Sequence, residues 1–280
     1  MRFQGMIGSI ALTMAVIAAP VAAQQPFDES KYPAMAGQWL RVGPLGVFDS
    51  TKPNGRGQQA PLTPEYQAIF EANLAEVAKG GSGDDPVYTC IPEGMPRAMN
   101  LVLPMEIAIT RNTTYIMMEY LSMLRRIYTD GRAFPTEEDP SWMGYSIGKW
   151  IDEDGDGRYD VLEVETRNLK NPRTFDPSGL PVHKDGGTVV KERFYLDKAN
   201  PDILHDQITV EDHALTRPWT ILKTMRREKK PIWVESICAE GNIHVSIGNQ
   251  HYLLNGDGEL MPFMKDQPPP DLKHFSQPKK

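Results

Sequence analysis

From Met105 onward, apolar and polar positions alternate with a period of two. Short runs of this alternating or β-branched kind cover Met105–Thr110, Thr114–Leu121, Leu124–Thr129, Ser146–Ile151, Asp160–Thr166, Thr188–Leu196, Ile203–Asp212, Thr220–Arg227 and Trp233–Cys238. Turn residues separate most of them, and Gly37–Val42 adds a similar run in front. Short links between successive strands favour antiparallel neighbours, and so many strands in one domain close into a barrel or stack as a sandwich. The pattern therefore predicts a mainly β protein, an antiparallel barrel of about 8–10 strands.

One segment carries a helical period instead. Thr63 offers an N-cap, Pro64 the first helical position and Glu65 an acid in the first turn, followed by Tyr66, Phe70, Leu74 and Val77 on one face. A helix is predicted over 64–79, stopped by Gly80-Gly81.

The N-terminus differs again. Arg2 precedes the apolar run Met6–Ala19, and Pro20-Val21-Ala22-Ala23 supplies small residues for cleavage, so residues 1–23 are expected to be a signal peptide cut after Ala23. The run is shorter than the roughly 20 residues that span a bilayer, and no second apolar stretch predicts a transmembrane segment. The expected product is a periplasmic or secreted single domain over 24–264 with a flexible tail over 265–280.

Charge and cysteine content narrow the function. With 30 Lys and Arg against 37 Asp and Glu, the net charge is −7, and no basic run occurs. That removes the electrostatic basis for nucleic-acid binding. The two cysteines, Cys90 and Cys238, lie in the exported part, where an oxidising compartment makes a disulfide the simplest fate of an isolated pair; two unrelated thiols are the alternative.

Gly37-Gln38-Trp39 resembles the Gly-x-Trp opening of lipocalin-like barrels. A broader resemblance rests on Leu62-Thr63-Pro64-Glu65-Tyr66, Cys90-Ile91-Pro92-Glu93-Gly94-Met95-Pro96-Arg97, Arg126-Ile127-Tyr128-Thr129-Asp130-Gly131-Arg132, Gly144-Tyr145-Ser146-Ile147-Gly148-Lys149-Trp150, Glu192-Arg193-Phe194 and Thr216-Arg217-Pro218-Trp219. These segments resemble a large group of uncharacterised exported bacterial proteins. The resemblance implies export, one β-rich domain and a Cys90–Cys238 pair, and it implies no reaction. Tyr145 stands where that group commonly has His, and an acidic insert follows Trp150.

The insert is the sharpest local pattern. Asp152, Asp154, Asp156, Gly157, Arg158, Asp160 and Glu163 fit the calcium-loop template D-x-D-x-D-G-x5-E. Ca²⁺ takes six to eight hard oxygens, which these carboxylates and the Arg158 carbonyl could supply, making structural Ca²⁺ the one cofactor expected. The flanks read as strands rather than helices, and the competing reading is a solvated acidic hairpin turn.

In a strand, Arg126 and Tyr128 share one face and Arg125 and Thr129 the other, so one arginine of the pair points inward. An inward arginine needs a carboxylate, with Glu119 or Glu192 as candidates. Met117, Tyr145 and neighbouring Met and Tyr residues could line an apolar cavity. The first functional expectation is a barrel that binds a small apolar or aromatic, possibly anionic, molecule through Arg125, Arg126, Tyr128, Glu119, Tyr145 and Met117. The second is a cavity enzyme, such as a lyase, isomerase or hydratase, using His183 or Glu192 as base with Arg126 and Tyr128 beside it. A calcium-dependent surface protein is the third. His205-Asp206 could also set imidazole beside carboxylate. No histidine pair forms HxH, HxxxH or HExxH, so the sequence carries no zinc signature, and no nucleotide-binding glycine motif occurs.

Overall fold

The computed structural model describes residues 27–247 and 250–273. The expected signal peptide and residues 274–280 of the expected tail lie outside the described residues. Nine strands, β1 (Gly37–Arg41), β2 (Met105–Ile109), β3 (Thr113–Met118), β4 (Met123–Tyr128), β5 (Tyr145–Ile151), β6 (Val161–Arg167), β7 (Val189–Leu196), β8 (Ile203–Glu211) and β9 (Trp219–Arg227), close into a barrel in sequence order. Trp39 pairs with Arg227 and with Met105, which joins β1 to both β9 and β2 and closes the ring. The Trp39 indole donates to the Met35 carbonyl at 2.8 Å, fixing the entry to β1.

The fully antiparallel expectation needs one correction. β4 and β5 are parallel, with Ile127 beside Ser146 and Tyr128 beside Ile147. Residues 129–144 supply the long connection that a parallel pair requires. Alternation reports which face a side chain takes, not which way the strand runs.

A second correction concerns Trp233–Cys238, which forms no strand: Trp233 and Val234 are exposed, and the segment is held by the Ser122 hydroxyl donating to the Ser236 carbonyl at 3.3 Å and by the Cys90–Cys238 disulfide. The chain instead ends in a small separate sheet of β10 (His244–Ile247), β11 (Gln250–Leu254) and β12 (Leu260–Pro262). Residues 265–268, expected within the flexible tail, are bonded to the body: Lys265 N–H donates to the Lys79 carbonyl, and the Tyr252 hydroxyl to the Pro268 carbonyl.

The predicted helix forms as α1 (Pro64–Val77), with the Thr63 hydroxyl accepting from Tyr66 N–H and with Tyr66, Phe70 and Asn73 buried. α1 belongs to the long segment between β1 and β2, which covers one end of the barrel together with the β6–β7 and β8–β9 connections. Phe48, Phe70, Met95, Met99, Phe175, Leu180 and Trp219 pack there as a plug, with Phe48 against Phe175 and Trp219 at ring separations of 5.0 and 4.7 Å.

Apolar side chains pack along the barrel interior. Ile107, Ile116, Ile127, Leu162, Val164, Val190, Phe194, Leu204, Ile208 and Met225 are all buried and belong to one continuous core cluster. Polar side chains occupy the middle of that core. Arg125 donates to both Glu192 carboxylate oxygens, at 2.8 and 2.5 Å, to the Thr166 hydroxyl at 2.8 Å and to the Ser146 hydroxyl at 3.2 Å.

Candidate functional site

The sequence candidates separate when placed on this fold. Arg125 is the arginine of the pair that points inward, and of the two candidate carboxylates Glu192 is its partner. Glu119 is buried but sits at the β3–β4 turn, beyond Met118, while the cross-strand neighbour of Arg125 is Ile116. Arg126 is exposed on the outer wall. Tyr128 and Tyr145 stack there at 4.9 Å, with the Arg132 guanidinium 3.9 Å over the Tyr128 ring, and Met117 is also on the outer face. These residues therefore do not line one cavity. His205 and Asp206 diverge as well, His205 outward onto Asp197 at 3.3 Å and Asp206 inward, because neighbouring strand residues take opposite faces.

The acidic insert forms the β5–β6 turn at the end of the barrel opposite α1. Asp152, Asp154 and Asp156 converge, their nearest oxygens within 4.8 Å of one another, and Asp152 accepts from the N–H groups of Gly155 and Gly157. The two later template positions are turned elsewhere. Asp160 accepts from Glu153 N–H at 2.8 Å, and Glu163, on the outer face of β6, pairs with Arg193 at 3.4 Å. A depression of about 510 Å³ lies beside this turn, lined by acidic and basic side chains that include the exposed ion pair of Glu153 and Arg193.

Buried charge instead marks a cleft of about 430 Å³ at the covered end of the barrel. One wall is the turn Pro86–Thr89 and the loop that follows it to Arg97; the other is the chain around Cys238 and His244. The Cys90–Cys238 disulfide joins the walls across 148 positions of sequence. Asp85 caps the Pro86–Thr89 turn by accepting from Val87 N–H and holds Arg97 through two bonds, at 2.6 and 3.1 Å. Arg97 donates further to Glu93 at 3.0 Å and to the Thr174 hydroxyl at 2.6 Å. Gly94, at φ +63°, permits the turn between Glu93 and Arg97; a Cβ there would lie 2.5 Å from the Trp142 carbonyl oxygen.

One guanidinium thus faces two carboxylates. Burial raises the Glu93 carboxyl, Arg97 opposes that and Asp85 adds to it, leaving Glu93 near the middle of the physiological range, at about 7. Burial also raises the Tyr120 phenol in the same cleft, with Glu93 adding to the shift. His244 is lowered by burial, and its Nδ1 has no hydrogen-bond partner among the described residues. Tyr88 packs edge-on to His244 at 4.9 Å and to Phe263 at 5.4 Å, giving the cleft an aromatic side.

A second buried set lies behind it. Lys223 donates to the Asn100 side-chain carbonyl and the Val47 carbonyl, both at 2.9 Å, and burial lowers its ammonium to about 7. Asp206 is its cross-strand neighbour; burial raises its carboxyl, Glu192 adds to the shift, and neither oxygen has a hydrogen-bond partner among the described residues. Neither the Glu93 cleft nor this pair emerged from the sequence. The available signals were a charged residue at an inward position of an otherwise apolar face, Asp206 between Leu204 and Ile208 and Lys223 between Ile221 and Met225, and the Pro- and Gly-rich loop around Glu93.

Fold and site together define a disulfide-bonded nine-stranded barrel with an acidic, aromatic cleft at its covered end. No protein-family model matches the chain, and no curated protein matches it. Among the described residues no helix is long and apolar enough to cross a membrane.

Proposed function

We propose that this is an exported barrel protein that binds a small aromatic or apolar molecule in the end cleft, with Glu93 accepting a proton or hydrogen bond from it. The carrying observation is Glu93: a buried carboxyl poised near neutrality, at about 7, in contact with Arg97 and open to a cleft walled by Tyr88 and Tyr120. The disulfide supports export, since such bonds persist in oxidising compartments. Charge balance sets the ligand class. Arg97 is matched by Asp85 and Glu93, and Arg125 by Glu192, so neither offers a free positive charge to an anion. A cationic or neutral hydrogen-bond donor suits the cleft better than the anionic molecule suggested by an inward arginine.

The test uses a simple aromatic amine, benzylamine, followed by NMR at Tyr88 and Tyr120. Glu93 is mostly neutral below its folded value and ionised above it, so affinity for the amine should rise about tenfold between roughly pH 6 and 8. Asp85, Arg97, Tyr120, Lys223 and His244 also face this region, so the assignment rests on Glu93→Gln losing the pH dependence. A ligand that binds Glu93→Gln with the same profile, or that perturbs only outer-wall tyrosines, removes the proposal.

An acid–base enzyme is the second reading, favoured by the same carboxyl, because a general base works best with a pKa near the operating pH. Chemical change of the bound compound, abolished in Glu93→Gln, distinguishes it from carriage.

For the β5–β6 turn we propose weak structural Ca²⁺ binding, supported by the template match and the convergence of Asp152, Asp154 and Asp156. With Asp160 and Glu163 held elsewhere, affinity should resemble that of low-affinity extracellular sites, about 0.1–1 mM. Millimolar Ca²⁺ should raise the melting temperature relative to EDTA, and Asp154→Ala should remove the increment. An identical melt in both conditions ends the metal reading.

A further inference from the structure

A separate cluster at the covered end brings together two histidines that the sequence keeps far apart. His183 lies in the β6–β7 connection and His213 in the β8–β9 connection. The Asp185 carboxylate stands between them, with Oδ1 at 2.9 Å from His183 Nδ1 and Oδ2 at 2.5 Å from His213 Nδ1. The nearest ligating atoms of all three lie within 4.8 Å of one another. We infer that His183, Asp185 and His213 form a binding site for a divalent transition-metal ion, with water completing its coordination.

His183 turns its Nδ1 toward Asp185, 2.9 Å from Oδ1 and 3.2 Å from the main-chain N. At 2.9 Å a ring nitrogen and a carboxylate oxygen need a cation between them, either the ring's own proton or a metal ion. Metal–ligand bonds of about 2.0–2.1 Å at right angles separate their ligating atoms by about 2.9 Å, which matches the His183 contact. The 2.5 Å His213 contact is that of a shared proton, and it would lengthen by a few tenths of an ångström when a metal replaces the proton. Imidazole with carboxylate is a donor set for zinc, copper or nickel rather than for calcium or magnesium.

The surroundings hold the donors in place. Asp212 accepts from the main-chain N–H of His183 and of Ala214 and from the Thr188 hydroxyl, tying the two connections together through one carboxylate. Gly187 N–H donates to Asp185 Oδ1 at 2.9 Å, and the Tyr66 ring of α1 lies 5.0 Å from His183. These are the outer contacts that orient metal ligands. The site is open on its other side: the His213 side chain is 71% exposed and faces a depression of about 380 Å³ that also includes Glu211 and Arg217. Open coordination positions therefore face solvent. The ion would cross-link two connections over the plug, a different region from the Glu93 cleft.

The full chain is titrated with Zn²⁺ against a chromophoric chelator, and histidine ring resonances are followed by NMR with Co²⁺ as paramagnetic probe. One equivalent should bind, His183 and His213 should be the rings affected, and affinity should fall by at least about tenfold in His213→Ala. Because His213 is exposed, this variant retains the fold, which an unchanged melting temperature without metal verifies; Asp185→Asn provides the second variant. Absence of Zn²⁺ binding, equal binding by His213→Ala, or Co²⁺ effects confined to His205, His244 or His251 overturns the inference.

Discussion

Arg125→Ala is expected to destabilise the barrel by about 3–5 kcal/mol at neutral pH, the range for removing one partner of a buried ion pair. The side chains of Arg125 and Glu192 are 1% and 0% exposed, and the guanidinium contacts three inward strand positions besides β4: Ser146, Thr166 and Glu192. Alanine leaves the Glu192 carboxylate without its cation and next to Asp206, whose carboxyl is already raised by burial and by Glu192. The deficit is read by urea unfolding at pH 7. Replacing both partners, Arg125→Met with Glu192→Leu, should recover most of the loss, because no charge is then stranded in the core. A deficit below about 1 kcal/mol, or a double variant no better than Arg125→Ala, contradicts the ion-pair account.

That core explains what could and could not be read from the sequence. Period-two alternation was sufficient to locate all nine barrel strands to within a few residues and to put one arginine of the Arg125–Arg126 pair inside, since a strand has only two faces; it did not say that the inward one is Arg125. It left Glu192 as one of two partners, a choice that only the closing of the ring decides. Strand direction at β4–β5 was invisible for the same reason, because alternation is unchanged when a strand is reversed. Trp233–Cys238 looked like a strand because its side chains are bulky and β-branched, yet three of them, Trp233, Val234 and Ile237, are exposed. Such preferences describe a surface on which to pack, and here the packing partner is missing.

The Glu93 cleft was illegible for another reason. Asp85, Glu93 and Arg97 are close in sequence, but Tyr120 comes from the β3–β4 turn and His244 from beyond the barrel, so the site exists only after long-range closure. The two cysteines were the one visible link between these regions. The calcium template is a different case: its string was complete in the sequence, and in the fold Asp152, Asp154 and Asp156 converge while Glu163 stands on the outer face of β6 beside Arg193. On the proposed reading the ligand binds at the end of the barrel, where Glu93 lines a cleft.

The disulfide is expected to produce the other large effect. In the chain-entropy account, a cross-link spanning 148 positions removes unfolded-state freedom worth about 5 kcal/mol, and loss of a native bridge commonly costs about 2–5 kcal/mol. Cys90→Ser with Cys238→Ser should therefore lower stability within that range in urea unfolding. The folded state should also respond unevenly. Barrel strands are joined by continuous ladders, whereas the small β10–β12 sheet is held to the body by contacts such as Tyr88 on His244 and Lys265 N–H on the Lys79 carbonyl. Amide exchange should accordingly accelerate more over 238–268 than in β6–β9, where the longest paired strands lie. Because His244 forms one wall of the cleft, benzylamine affinity should fall together with protection of that segment. A double-serine protein that loses less than about 1 kcal/mol and keeps wild-type exchange over 238–268 would show that the non-covalent contacts alone hold the wall in place.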